Sequence, residues 1–105
     1  PMNQPLVAPD QLKAVAERFS VLGEPVRLEL LNALHVHGAM SVGELVEATG
    51  HRQANVSKHL GRMADEGLLT RNREGVRVYY AIDDQTLAAL CLLVSTQLAQ
   101  NDEAA

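Results

Sequence analysis

At 105 residues with 47% hydrophobic content, the chain has room for one core and enough apolar side chains to fill it. No apolar run approaches the ~18 residues that a membrane helix needs, and the opening Pro1-Met2-Asn3-Gln4-Pro5 lacks the basic head and apolar stretch of a secretory signal. One cysteine, Cys91, excludes an intramolecular disulfide and fits the reducing cytoplasm, and a formal net charge of −4 makes a basic cluster, wherever one occurs, a placed feature.

Residues 1–9 hold three of the four prolines and no periodicity, and are expected to form a flexible arm. Pro1 reads as a vector-derived remnant ahead of a natural start at Met2. From Asp10, an expected N-cap, Leu12, Val15, Phe19 and Leu22 recur at steps of 3 and 4, a narrow helical stripe that Gly23 ends. Pro25 stands where a first helical turn tolerates proline. The helix it opens, about 24–36, carries Val26, Leu30, Leu31 and Leu34 as the pillar of the core, and His35, His37 and Gly38 close it.

Ser41-Val42-Gly43-Glu44 is a capping box, which satisfies free amides at a helix start. Leu45 and Val46 give that helix its apolar side, and Gly50 ends it. After a tight turn, a second helix runs from about Arg52 to Glu66, with Val56, Leu60 and Met63 inward and Gly67 as its stop. Leu68 to Arg73 and Val76 to Ile82 read as two strands joined at Glu74-Gly75, with Val76, Val78, Tyr80 and Ile82 on one face. Asp83 and Asp84 cap a last helix at about 84–99, whose apolar residues are Leu87, Leu90, Cys91, Val94 and Leu98; residues 101–105 are expected to fray.

Helix, turn, helix and ribbon make a winged helix-turn-helix: mainly α, about five helices with a small two-stranded antiparallel β-hairpin wing, over residues 10–100. The helix-turn-helix spans about 41–66 and the wing about 68–82. Six of the nine Lys and Arg residues fall between Arg52 and Arg77 against three acids, so this segment is locally +3 in an acidic chain. Around its apolar stripe the second helix shows Arg52, Gln53, Asn55, Ser57, Lys58, His59 and Arg62, side chains suited to base edges or phosphates. Gln53, Asn55, Ser57 and His59, early on the helix, are expected to contact bases. Lys58, Arg62 and the wing's Arg73 and Arg77 are expected to serve phosphates or the minor groove.

Leu22-Gly23-Glu24-Pro25-Val26-Arg27-Leu28-Glu29-Leu30-Leu31, then Val56-Ser57-Lys58-His59-Leu60, Gly67-Leu68-Leu69 and Gly75-Val76-Arg77-Val78-Tyr79-Tyr80, resemble the ArsR/SmtB family of bacterial repressors over about residues 11–100. The resemblance implies a homodimer, joined through the first and last helices, that binds double-stranded operator DNA and releases it to an effector. On this chain that interface falls on Leu12, Val15, Phe19, Leu87, Leu90, Cys91, Val94 and Leu98. His59 matches a histidine common in the family's reading helix.

The family's metal sites are not matched. Its Cys-x-Cys positions at the helix-turn-helix are Ser41 and Gly43, and its interfacial ligand positions in the last helix are Asp84, Thr86, Gln97 and Gln100. One carboxylate with Thr and two Gln is a poor transition-metal set, so no metal or other cofactor is expected. His35 and His37 are two apart at a helix end, where a ligand pair on one face needs a spacing of 3 or 4. Family members that sense oxidants or persulfides use two cysteines; the partner position falls near Asn32, so Cys91 among Leu87, Leu90, Leu92 and Leu93 reads first as a small buried apolar residue. The alternative is a thiol-responsive repressor acting through Cys91. No catalytic constellation is visible and no enzyme activity is expected. A winged-helix module that binds another protein is the competing class, for which the helix from Arg52 to Arg62 is too polar.

Overall fold

A computed structural model describes residues 3–104, the side chains of residues 103 and 104 excepted. Pro1 and Met2, with the reading of the natural start, and Ala105 lie outside the described residues. Residues 3–8 take turns and bends, and Pro9–Gln11 form one 3₁₀ turn. Then come α1 (Leu12–Leu22), α2 (Pro25–His37), β1 (Met40–Ser41), α3 (Val42–Thr49), α4 (Gln53–Asp65), β2 (Leu69–Glu74), β3 (Arg77–Ile82) and α5 (Gln85–Ala104). Asp10 does not cap α1. It belongs to the turn that Pro9 starts, and Gln11 holds the cap position without a side-chain bond.

Seven side chains, Val21, Leu30, Leu45, Val56, Leu60, Met63 and Leu68, are fully buried and bring the end of α1, α2, α3, α4 and the approach to β2 into one core. α2 adds Leu31 and Leu34, which makes it the pillar. The helix boundaries follow local chemistry. Glu44 N–H donates to Ser41 Oγ at 3.2 Å and Ser41 N–H donates to Glu44 Oε1 at 2.9 Å, closing the capping box of α3. α4 ends as a Schellman motif: Gly67, at φ +85°, returns its N–H to Ala64, and Leu68 returns its own to Met63.

The sheet holds three strands, not two, in the antiparallel order β1-β3-β2. Met40 and Ser41 pair with Tyr80 and Tyr79, a strand too short to show alternation in the sequence. The wing is thereby hydrogen-bonded to the residue that starts α3. At the wing tip Glu74 faces Arg77, so the two-residue loop is Gly75-Val76 rather than Glu74-Gly75. Positive φ at Gly75 and not at Val76 is the II′ pattern that suits the twist of paired strands. Val76 therefore leaves the inner face and is 92% exposed.

α5 continues through residues 101–104, past the expected end near 99. Its first turn is anchored: Thr86 N–H donates to Asp84 Oδ1 at 2.9 Å, and Leu87 is in the core. From Leu92 to Asp102 every α5 residue is exposed. The radius of gyration is 15.9 Å, against about 13 Å for a compact chain of this length. The protomer is elongated, with extents of 53 × 38 × 20 Å.

Ser41→Ala removes the cap of α3 while leaving the strand backbone in place, and should cost ~0.5–2 kcal/mol in urea denaturation at fixed protein concentration. Bonds from Ser41, its backbone N–H first, hold the Glu44 carboxyl below its usual range. That part of the stability is present at neutral pH and is lost as pH falls through the lowered value. A Glu44→Gln variant should lose less stability than the parent on acidification.

Candidate nucleic-acid interface

α4 is two-faced. Val56, His59, Leu60 and Met63 are buried, whereas Gln53, Ala54, Ser57, Lys58 and Arg62 are exposed, with Arg52 exposed at the N-cap and Asn55 half-buried at the edge. Gln53, Ser57, Lys58 and Arg62 thus share an open face. Ala54 lies on it too, a position that a search for polar side chains does not single out, although its methyl can pack on a thymine methyl.

His59 is on the other side, a correction to its expected place at base edges. It is 7% exposed, and its Nδ1 accepts a hydrogen bond from Arg27 Nε at 3.0 Å. The guanidinium has no lone pair to offer, so Nδ1 must be unprotonated and the neutral ring carries its proton on Nε2. Arg27 Nη1 also donates to the Val21 carbonyl at 3.1 Å. Burial first, then the positive charges of Arg27 and Lys58, hold the imidazole pKa below its usual value. Helical spacing alone puts 59 next to 56 and 63, an inward signal outweighed in the sequence reading by the polarity of histidine. His51 has its Nε2 2.6 Å from Glu29 Oε2 and ties the turn before α4 to α2.

The cations divide in the same way. Arg71 lies over the Tyr80 ring, 5.4 Å from its centroid, and its Nε donates to the Tyr80 hydroxyl at 3.0 Å. Arg62 is paired with Glu66 at 3.2 Å. Arg52, Lys58, Arg73 and Arg77 are exposed and have no ion-pair partner within 4.0 Å among the described residues. Arg73 and Arg77 flank the wing tip.

Of the apolar positions expected at a dimer interface, Leu12, Phe19, Val94 and Leu98 are exposed, Phe19 at 54%. Val15, Leu90 and Cys91 are half-buried. Leu87 is corrected: at 3% exposure it belongs to the core of its own protomer. Leu92 and Leu93, read as packing around Cys91, are instead exposed at 66% and 69% and extend the open apolar face. Cys91 lines a cavity of about 440 Å³ between α2 and α5 with Leu28, Leu31, Asn32, His35 and Ser95.

Two of the positions compared with metal ligands, Ser41 and Asp84, already have structural partners. Ser41 caps α3, and Asp84 spends one oxygen on Thr86 N–H and the other on Arg18 Nη1 at 2.6 Å, tying α1 to α5. Among the described residues no three His, Cys, Asp or Glu side chains cluster closely enough to hold a metal ion. No helix among them is long and apolar enough to cross a membrane.

A family model described as the MarR family matches residues 24–76, from the start of α2 to the wing tip. The match is therefore to the helix-turn-helix and not to α1 or α5. A relative that spans more of the chain is the transcriptional repressor SmtB homolog of Synechocystis sp., 32% identical over 93 residues, which cover 89% of this chain and 70% of that protein. The chain belongs to the ArsR/SmtB family of winged helix-turn-helix DNA-binding transcriptional regulators. Two solved structures agree across α1 and α5 as well. The AntR antimony-specific transcriptional repressor superposes with a TM-score of 0.84 at 29% identity, over 96% of this chain and 91% of that one. The homodimeric winged helix-turn-helix domain Mb0332 of Mycobacterium bovis, described as a possible ArsR-family regulator, gives 0.81 at 29% identity over 98% and 94%. In this ArsR/SmtB chain the face of α4 that carries Gln53 and Ser57 is the open side of its helix-turn-helix, and His59 is part of the frame behind it.

A neutral buried His59 carries a stability consequence with a definite sign. Its folded pKa lies below the unfolded one, so between the two values the unfolded chain binds more protons and stability falls as pH falls. Thermal unfolding should show a decline below about pH 6.5. A His59→Gln variant, which offers Arg27 an amide oxygen and does not titrate, should show a shallower one; an equal decline in both would dismiss His59 as its source.

Proposed function

We propose that the chain is a homodimeric repressor that acts in the cytoplasm and reads an imperfect inverted repeat with two copies of α4. One observation carries the reading: an exposed α4 face of Gln53, Ala54, Ser57 and Lys58 beside a wing whose Arg73 and Arg77 are exposed and without an ion-pair partner among the described residues, on an acidic protein. Gln53 is suited to the adenine N6 and N7 edge, Ser57 to several bases and Ala54 to a thymine methyl. Arg52, Lys58, Arg73 and Arg77 serve phosphates, as does the side-chain-uncapped N-terminus of α4. Arg62, already paired with Glu66, contributes less, and half-buried Asn55 reaches DNA only at its edge.

The dimer reading rests on the exposed faces of α1 and α5, with Leu12, Phe19, Leu92, Leu93, Val94 and Leu98. Two-fold symmetry then sets half-sites about one helical turn, ~10 bp, apart. Selection from random duplexes should enrich a palindromic motif; no motif would favour a winged-helix protein-interaction module instead. On the selected duplex, Gln53→Ala should cost ~1–3 kcal/mol and relax one base position. Arg73→Ala should weaken selected and random DNA alike and lower the salt slope by about one charge. Losses that are equal on both DNAs for every substitution would refute the division.

Control by a metal ion is not part of the proposal, because Ser41 and Asp84 are structural caps and Gly43, Thr86, Gln97 and Gln100 are not a transition-metal set. Stoichiometric zinc or arsenite should leave the DNA complex intact in a fluorescence-anisotropy titration. A persulfide donor should do the same in the parent and in Cys91→Ser. Release in the parent alone would make Cys91 the sensor, and release by either metal would overturn the ligand comparison.

A further inference from the structure

The burial that holds α4 in place is non-directional. Val56, Leu60 and Met63 fix which side faces inward, but apolar contact carries no angular preference of its own, whereas a hydrogen bond does. α4 has no side-chain N-cap. Among the described residues, one side-chain hydrogen bond joins it to another element: Arg27 Nε to His59 Nδ1. The same guanidinium is fixed at its other arm by the Val21 carbonyl, in the last turn of α1, where the helix leaves carbonyls without intrahelical partners. One planar fork thus spans α1, α2 and the middle of α4. Ser57 and Lys58, the two residues before His59, face outward.

We propose that Arg27 is a positioning residue for DNA reading: by bridging the Val21 carbonyl to His59 Nδ1 it sets the rotation of α4 and so the aim of Gln53 and Ser57. This rests on α4 being the reading helix. Hydrogen bonds to base edges weaken steeply with misalignment, so a small rotation is felt in discrimination more than in general attraction to DNA. The device is also sensitive to protonation. A proton on Nδ1 turns the acceptor into a donor facing a donor, and the bond is lost. The charged and titratable groups around His59 are Arg27 and Glu24 from the start of α2, His51 from the turn before α4, and Lys58 on α4 itself. From β2, Arg71 turns to Tyr80 instead. Three of these are cationic or can become so, against one carboxylate, so the imidazolium is poorly accommodated.

The test uses the full chain and the duplex enriched by selection beside a scrambled duplex of equal length. Arg27→Lys keeps the charge but replaces the fork by a single ammonium, which cannot keep both bonds in their planes. It should weaken the selected duplex about tenfold, equivalent to ~1.4 kcal/mol, and the scrambled one by less than about twofold. Adding His59→Gln to Arg27→Lys should cost nothing more, because the two act as one unit. The parent should lose preference for the selected duplex as pH falls below the ordinary imidazole value of about 6.5, and His59→Gln alone should not, a readout that general destabilisation would not give. Circular dichroism of each variant keeps loss of fold apart from loss of aim; if Arg27→Lys does not fold, the pH comparison between the parent and His59→Gln decides. Unchanged discrimination in Arg27→Lys, independent losses in the double variant, or the same pH profile in His59→Gln would each overturn the proposal. Gln53→Ala and Ser57→Ala are the separate control: if both keep full discrimination, α4 is not the reading helix, and it is that assignment which fails.

Discussion

The pairing at Ser41 is the constraint on which the rest of the reading head depends. Its backbone joins β1 to β3, and its side chain starts α3 one residue later. A free β-hairpin is marginal in water; buried Leu69 and Tyr80 anchor the base of the wing in the core, and the third strand fixes it further. Wing and helix-turn-helix share a covalent and hydrogen-bonded hinge point, and the angle between Arg73, Arg77 and the open face of α4 is set there. Tyr80, opposite Met40 on one side and Arg71 on the other, packs this joint and engages the exposed Arg71 guanidinium through its hydroxyl and ring.

Charge on this protein is sorted by commitment rather than by count. Of the six cations between Arg52 and Arg77, Arg62 is tied to Glu66 and Arg71 to Tyr80, which leaves Arg52, Lys58, Arg73 and Arg77 open. Arg27 and Arg18, outside that segment, are structural bridges: one joins α1 and α2 to α4, the other joins α1 to the cap of α5. A surface ion pair contributes little to stability, but these bridges are part-buried, and a charged fork with two fixed acceptors adds direction that apolar packing lacks.

The apolar surface is sorted as well. The core is closed by the first turns of α5, through Leu87, and the remainder of that helix presents Leu92, Leu93, Val94 and Leu98 to solvent. An apolar face of this kind, with Phe19 and Leu12 also exposed on α1, is what a protomer shows when part of its burial belongs to an assembly. The homodimer proposed here would supply that burial and place two reading heads at a fixed separation.

The sequence by itself determined every helix, the wing and the order of both, because capping chemistry, glycine stops and 3.6-residue periodicity are local. Ser41-x-x-Glu44, Gly50 and Gly67 act within a few residues of where they stand, and all three are found at work. The basic character of the α4 and wing segment was equally legible. What only the tertiary structure decided is which polar groups are already engaged. His59 and Asp84 look available in the sequence, yet their partners, Arg27 and Arg18, lie 32 and 66 residues away. β1 was hidden for the same reason: two residues carry no period, and their pairing with Tyr79 and Tyr80 is long-range. The assignment of Leu87 inward and Leu93 outward was hidden too, since α5 has apolar residues on several sides and only the position of α2 and the sheet selects the one that is buried.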